Sequence, residues 1–279
     1  MITVKELTFY YGKKEIFSDY NLFIPDGEVC LITGVNGVGK TTLLRLIAGV
    51  LRPRSGEVKF DIEPDEDPRQ KIGFISDQLS LYESLTLERA IEFHKSIYKI
   101  ANFNDTLIQH IKVDKKQRIK ELSAGQRAIF HLSLILSTEP KIILIDEIIH
   151  SLDAYLRKVF VNQLLNVLSE RRPTVVLVNL NFHDIEHLVD RVILLKDGKS
   201  LVDEKIDSLK SKVKKIISKE IPGDFNVLYQ LDFQDHSEYF IYPYREEFKL
   251  QMDGELEDLN LTEIIGAFIG GEYAQKGIN

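Results

Sequence analysis

The sequence predicts an α/β fold with a mostly parallel core sheet, an antiparallel β layer beside it and a helical subdomain. Three observations carry this expectation. Strand patterns alternate with helical ones along much of the chain, the order that builds parallel sheets. Ile142-Ile143-Leu144-Ile145 is a continuous apolar run, as a parallel strand buried on both faces requires. The stretch Thr33 to Thr42, T-G-V-N-G-V-G-K-T-T, sits between the apolar strand Val29–Ile32 and the helical run Leu43–Ala48.

In chain order, residues 2–10 alternate loosely and read as a strand ending at Tyr11-Gly12. Asn21 to Ile24 is a second strand that runs into the Pro25-Asp26-Gly27 turn. Val58 to Phe60 is short strand material, and the acidic run Asp61 to Asp67, with Pro64 inside it and Pro68 just after, reads as a solvated loop. Ile72 to Ile75 is a further strand. From Thr86 to about Leu136 the apolar spacing is helical, with a break at Leu122 to Gln126. After Ile145 come a helix from about Ala154 to Ser169, a strand Thr174–Val178 and another helix leading to Asp190-Arg191. Val192 to Val202 then folds as a hairpin around Asp197-Gly198.

The stretch from Thr33 carries chemistry as well as structure. It fits G-x-x-x-x-G-K-[ST] through Gly34, Gly39, Lys40 and Thr41. A triphosphate needs backbone N–H donors aimed inward, and glycines let the chain curl without Cβ clashes. The N-terminus of the following helix adds partial positive charge. Lys40 would reach the β- and γ-phosphates, and the Thr41 hydroxyl would ligate Mg²⁺. Residues Gly34, Val35, Asn36, Gly37, Val38, Gly39, Lys40, Thr41 and Thr42 are therefore the expected binding loop for a nucleoside triphosphate. Asp146 and Glu147 close the apolar strand at its C-terminal end, where doubly wound sheets place their chemistry. Asp146 is the expected anchor for the metal, through a bound water. Glu147 would orient or deprotonate the attacking water.

Composition narrows the class. The 279 residues are 44% hydrophobic and 28% charged, as in a soluble globular protein. The longest apolar runs fall far short of the ~20 residues that span a bilayer, and no signal peptide opens the chain, so the expected location is cytoplasmic. The single cysteine, Cys30, excludes an internal disulfide and a cysteine-based zinc cluster. A net charge of −7 argues against nucleic acid as a partner.

The order of these motifs resembles the ATP-binding subunit of an ABC transporter over roughly residues 1–205. Tyr11-Gly12 resembles the aromatic loop that stacks on adenine, Gly34 to Thr42 resembles Walker A, and Ile142 to Glu147 resembles Walker B with its catalytic glutamate. Leu122-Ser123-Ala124-Gly125-Gln126 resembles the L-S-G-G-Q signature, and Ser151-Leu152-Asp153 resembles the D-loop. The resemblance implies a P-loop NTPase with a helical signature subdomain at about 77–138. ATP and Mg²⁺ are the implied cofactors, and the implied assembly is a head-to-tail dimer. In that dimer each ATP lies between one Walker A loop and the partner's Ser123 and Gly125, with Gln126 and Asp153 nearby. Ser123 also suits a helix N-cap.

Two positions depart from the family pattern. In the stretch resembling the Q-loop, Asp77 stands where glutamine is usual, and Gln78 follows; Asp77 is expected on the metal side. At the switch histidine the aligned residue is Leu180, which cannot hydrogen-bond a γ-phosphate. His183 arrives three residues later, close to one helical turn, and either takes the switch role or is a surface histidine on the first turn of a helix. Leu180 also supports the alternative of a hydrolysis-deficient ATP-binding regulatory subunit that pairs with another ATPase chain.

Residues 206–279 form a small α+β C-terminal extension. In 205–219 the spacing of Ile206, Leu209, Val213 and Ile216 predicts a helix, either a solvated connector or one lying near an anionic membrane through its lysines. Residues 221–252 alternate in places and predict short antiparallel strands. Asn260 to Gly270 predicts an amphipathic helix that stops at Gly270-Gly271, and it resembles the last helix of ATPase subunits serving ABC-2-type exporters. The expected function is ATP hydrolysis in a homodimer or heterodimer that powers a transmembrane permease on a separate chain, with export the implied direction. The expected location is then peripheral at the inner face of the membrane, through the permease. Its docking surface is expected in the groove between the helical subdomain and the sheet, near Asp77 to Thr86, where Tyr82, Leu85 and Leu87 are either apolar contacts or simply core.

Overall fold

The protein is described as a computed structural model covering residues 1–62, 66–76, 83–178, 185–223, 225–250 and 254–275. Strands β1 (Ile2–Tyr11) and β2 (Lys14–Ile24) pair antiparallel, and β3 (Val29–Thr33) leads into helix α1 (Lys40–Ile47). Strand β4 (Ser55–Phe60) adds to the free side of β1, so these three strands form the antiparallel layer. A single helical turn, α2 (Pro68–Lys71), precedes β5 (Ile72–Ser76). Helices α3 (Leu87–Tyr98), α4 (Thr106–Ile111) and α5 (Ala124–Leu136) follow, then β6 (Ile142–Asp146), α6 (Ala154–Arg171) and β7 (Thr174–Val178). The hairpin β8 (Arg191–Lys196) and β9 (Lys199–Lys205) completes a six-stranded sheet ordered β5-β6-β7-β3-β8-β9, parallel except for β9. The predicted α/β class with its antiparallel layer is what the chain adopts.

The central strands are buried on both faces, and alternate residues feed two cores. Leu31, Ile143, Ile145, Val175 and Leu177 point to the side holding α5 and α6. Cys30, Ile32, Leu144, Val176 and Val178 point to the side holding α1 and the antiparallel layer. The period-two alternation of strand side chains makes this division, and apolar residues at every position are its consequence. Cys30 is a free, buried core thiol whose pKa burial pushes up, with the Asp203 charge adding to the effect. Parallel register sets the ends of three strands in one row: Ile32 and Asp146 both lie beside Val178. That row is where the site is built.

Helices α3 and α5 bury two imidazoles that lack full partners. His131 Nδ1 and His94 Nε2 are buried without a hydrogen bond. Burial pushes His131 down to about 4, with the neighbouring His94 charge adding to the effect. Because the folded-state pKa lies below that of the unfolded chain, folding favours the neutral ring. Its contribution to stability is present above about pH 6.5 and is lost as pH falls from there toward 4. Urea midpoints measured at intervals across that range should therefore fall with pH, and His131→Leu should flatten the slope.

The tail differs from expectation in two places. The predicted helix over 205–219 is a short helix, α7 (Ile206–Lys212), followed by strand β10 (Lys214–Ser218). The β-branched pair Ile216-Ile217 and two strand partners outweigh the helical spacing. Strand β10 lies between β12 (Ser237–Ile241) and β13 (Glu255–Asp258), with β11 (Val227–Asp232) outside β12. Its lysines pair with acids: Lys214 reaches Asp258 at 2.5 Å, and Lys215 reaches Glu257 at 2.7 Å and Glu238 at 3.4 Å. The second difference is helix α8 (Leu261–Gln275), which runs through Gly270-Gly271 instead of stopping there. Gly270 faces Tyr229 of β11, which a Cβ would meet at 3.7 Å, so the glycine lies in a packing face. Leu261, Ile264, Ile265 and Phe268 of α8 join the same core as α5 and α6. Of the helix expected before Asp190, the described residues show one 3₁₀ turn, Glu186–Leu188.

Candidate active site

The loop from Gly34 to Gly39 turns the end of β3 back over α1. Two of its glycines are required on steric grounds. Gly34 has φ +141°, and a Cβ there would sit 2.4 Å from the Leu195 carbonyl oxygen. Gly39, at φ +114°, caps α1 and lies so close to β2 that a Cβ would meet Ile16 Cγ2 at 2.8 Å. Gly34→Ala combines a left-handed backbone with a backbone clash, and it is expected to cost about 2–4 kcal/mol. The midpoint of guanidinium unfolding checks this, with Gly37→Ala, where a Cβ meets nothing within 4 Å, as the milder comparison.

Lys40 is 5% exposed, and its ammonium donates to the Gly34 carbonyl at 2.9 Å and the Val35 carbonyl at 3.2 Å. The side chain thus folds back inside the loop it terminates. Burial draws its pKa below the usual lysine value, and the charges of Glu147 and Asp146 oppose that shift. Thr41 Oγ1 donates to Asp146 Oδ1 at 2.9 Å, which joins the first turn of α1 to the end of β6. Thr42 is buried behind it, while Asn36 is exposed at the crown of the loop.

Glu147 follows Asp146 in a left-handed conformation, φ 49°, ψ 14°, so the chain leaves the strand abruptly. Its backbone N–H donates to the Val178 carbonyl at 2.9 Å, pinning the bend to the end of β7. Such a bend costs on the order of 1 kcal/mol in a residue with a Cβ, and here it sits beside the loop lysine. A hydroxyl and a buried carboxylate meeting at the loop are oxygen donors suited to a hard divalent cation. Thr41 and Asp146 therefore fit Mg²⁺ in both donor type and placement.

The remaining predicted residues divide. Ser123 caps α5, accepting from the Gln126 N–H at 3.1 Å while its own N–H donates to Gln126 Oε1 at 2.9 Å. Gln126 Nε2 also donates to the Ile111 carbonyl, so this side chain braces α4 against α5. Gly125 is buried and Ser123 is exposed on the helix end. Asp153 caps α6 by accepting from the Leu156 N–H at 2.8 Å, an architectural task the motif reading did not include. Tyr11 is 47% exposed and stands edge-on to Phe9, with ring centroids 4.9 Å apart. Asp77, Leu180, His183 and Tyr82 lie outside the described residues. Of the two readings of Leu85 and Leu87, docking residue or core, the structure favours the second: Leu87 is fully buried, and Leu85 packs against the core. Both are structural, because the start of α3 turns its apolar stripe inward.

The sequence reading missed one wall of the site. An open cavity of about 390 Å³ lies between Val35–Val38 and residues 14–18 and 197–199. Asp197-Gly198 read only as a hairpin turn, and Ile16 as strand material. Nothing local signals that the two hairpins flank the loop, since strand pairing across the sheets puts them there.

The ABC transporter family model matches residues 17–150. An uncharacterized ABC transporter ATP-binding protein of Methanocaldococcus jannaschii, MJ1023, is 30% identical over 244 residues, which cover 81% of this chain and 89% of that protein. The sulfate/thiosulfate import ATP-binding protein CysA of Bacillus cereus is 30% identical over 211 residues, 71% of this chain and 59% of that protein. Among solved structures, the dimeric post-hydrolysis state of the ATP-binding cassette MJ0796 bound to ADP and Pi superposes with a TM-score of 0.63 at 27% identity. It covers 74% of this chain and 99% of that one.

Proposed function

Because this chain belongs to the ABC transporter family of ATP-binding proteins, and so is an ATPase of that family, we propose that it works as a head-to-tail dimer driving a separate membrane-spanning permease. The observation that carries the reading is the Thr41–Asp146 hydrogen bond beside the Glu147 bend, at the mouth of the Lys40 loop. In this reading the loop N–H groups and Lys40 bind the β- and γ-phosphates. Mg²⁺, when bound, neutralises charge developing on those oxygens. Thr41 and Asp146 would hold it, and Asp77 is the further candidate that the motif pattern offers for the metal. Glu147 takes a proton from the attacking water or orients that water, and its placement by backbone bonds keeps the carboxylate free for the task. Tyr11 stacks on the base, and His183 serves the γ-phosphate.

Ser123 and Gly125 complete the second half of the site in the partner chain. Their support is the exposed α5 N-terminus, where helix N–H groups and the dipole suit an anion. The permease would meet the outer face of α3, where Phe93 and Ile97 are 46% and 52% exposed one turn apart. No helix among the described residues is long and apolar enough to cross a membrane; in this reading the membrane-spanning partner is another chain and the position is peripheral at the cytoplasmic face. Export is the direction implied by the likeness of α8, and the import role named for CysA belongs to that protein.

Light scattering on Glu147→Gln tests the assembly. With Mg-ATP the mass should double, and with ADP it should return to that of one chain. A single-chain mass under Mg-ATP at every protein concentration would favour the second reading, suggested by Leu180, of a regulatory subunit that needs a different ATPase chain.

A further inference from the structure

A concentration of unpaired cations lies beside the exposed end of α5. Residues 112–120, K-V-D-K-K-Q-R-I-K, hold five cations and one acid in a chain whose net charge is −7. Lys115 pairs with Asp105, and the Asp114 carboxylate accepts the Lys116 N–H. Lys112, Lys116, Arg118 and Lys120 are exposed and have no ion-pair partner among the described residues. Like charges this close repel one another, so gathering them does nothing for the stability of the single chain.

Two of the four flank Ser123 and Gly125, the residues assigned above to the second half of the site. Lys112 ends α4 directly after Ile111, whose carbonyl accepts from Gln126 Nε2 at 3.1 Å. Lys120 lies three residues before Ser123, on a 3₁₀ turn at Ile119–Glu121. Buried Ile119 and Leu122 fix that turn, and the Lys120 N–H donates to the Glu83 carbonyl at 3.1 Å. Both side chains therefore start from backbone held against the first turn of α5. Lys116 and Arg118 lie where the loop runs beside the start of α3, with the Leu87 N–H donating to the Gln117 carbonyl and the Glu88 N–H to the Lys115 carbonyl.

The surface that this end of α5 would meet changes its charge with nucleotide. At the loop mouth Lys40 is offset by Asp146 and Glu147. On the neighbouring wall Lys14 and Lys199 are offset by Glu15 and Asp197. Without nucleotide that mouth is close to charge balance, whereas Mg-ATP adds net negative charge to it. Two copies of a chain with net charge −7 otherwise repel each other.

We propose that Lys112 and Lys120 form an electrostatic docking surface for the ATP-loaded loop of a second copy of this chain, so that assembly follows the charge of the bound nucleotide. The proposal rests on the head-to-tail dimer reading above. In a two-fold dimer each copy offers this surface to the other, so every substitution acts twice. Salt screens the attraction, whose range is about 10 Å at 0.1 M and about 3 Å at 1 M.

The test follows the dimerisation constant of the Glu147→Gln chain in Mg-ATP by sedimentation, from about 0.05 M to about 1 M salt. That parent is compared with the pair Lys112→Glu and Lys120→Glu, and with the pair Lys112→Arg and Lys120→Arg. A third pair, Lys219→Glu and Lys249→Glu, changes the net charge equally at exposed positions of the C-terminal extension. At low salt the glutamate pair at 112 and 120 should dimerise at least about tenfold more weakly than the parent, and the gap should close to about twofold at high salt. The arginine pair should match the parent, and the extension pair should stay within about threefold of it. ATP affinity of the single chain should stay within about twofold in every variant. A dimer indifferent to the reversal at 112 and 120, or weakened equally by the extension pair, overturns the proposal. So does an unchanged dimer alongside lost sedimentation with phosphatidylserine vesicles, which would give the lysines to a membrane surface. A parent that remains a single chain in Mg-ATP at low salt removes the dimer reading itself, and the proposal with it.

Discussion

Glu147→Gln is expected to lower steady-state ATP turnover by about 100-fold or more while leaving ATP affinity within about twofold. The substitution keeps the side chain's size and removes its capacity to take a proton. The bend that presents it is secured through the main chain, by the Glu147 N–H to Val178 bond and by the left-handed dihedrals. Those features survive in the amide variant, so the loss should fall on the chemical step alone. Phosphate release followed after mixing with Mg-ATP provides the readout, and a fluorescent analogue titration reports binding separately. Loss of binding in parallel with turnover would place Glu147 among the groups that hold the nucleotide.

Lys40→Ala is expected to weaken ATP binding by about 100-fold, near 3 kcal/mol. The charge removed is the one that folds into the centre of the loop, and its two bonds to the Gly34 and Val35 carbonyls go with it. One buried and one partly buried carbonyl acceptor lose their donor, at about 1 kcal/mol for the buried one. The variant should therefore also unfold at lower denaturant concentration in the absence of nucleotide. Lys40→Arg should fail to restore binding, because a planar guanidinium does not fit a cradle shaped around a single ammonium. Isothermal titration with ATP, paired with an unfolding curve, separates the two effects.

How much of this could be read from the chain follows from the range of each interaction. The loop, the buried strand and the Asp146-Glu147 pair are local patterns, and the structure places them in one row at the strand ends. Ser123 as an N-cap was legible for the same reason, since its partner lies three residues away. Asp153 capping α6 is equally local, but the motif reading assigned that residue to the nucleotide and obscured the simpler task. The tail misled because helical spacing at Leu209, Val213 and Ile216 competes with strand partners at 237–241 and 255–258, which no local window contains. Leu87 reads equally as a docking residue or as core from sequence, because the direction in which α3 faces depends on packing against distant elements; the structure makes it core.

The central claim is hydrolysis in a site completed by a partner chain, and the rate of wild-type Mg-ATP hydrolysis as a function of protein concentration tests it most directly. The account predicts that turnover per chain rises with concentration and then levels off, and that Ser123→Arg suppresses it although nucleotide binding to the single chain persists. Turnover per chain that stays constant over a thousandfold dilution, about the span needed to dissociate a weak dimer, and is indifferent to Ser123→Arg would contradict it.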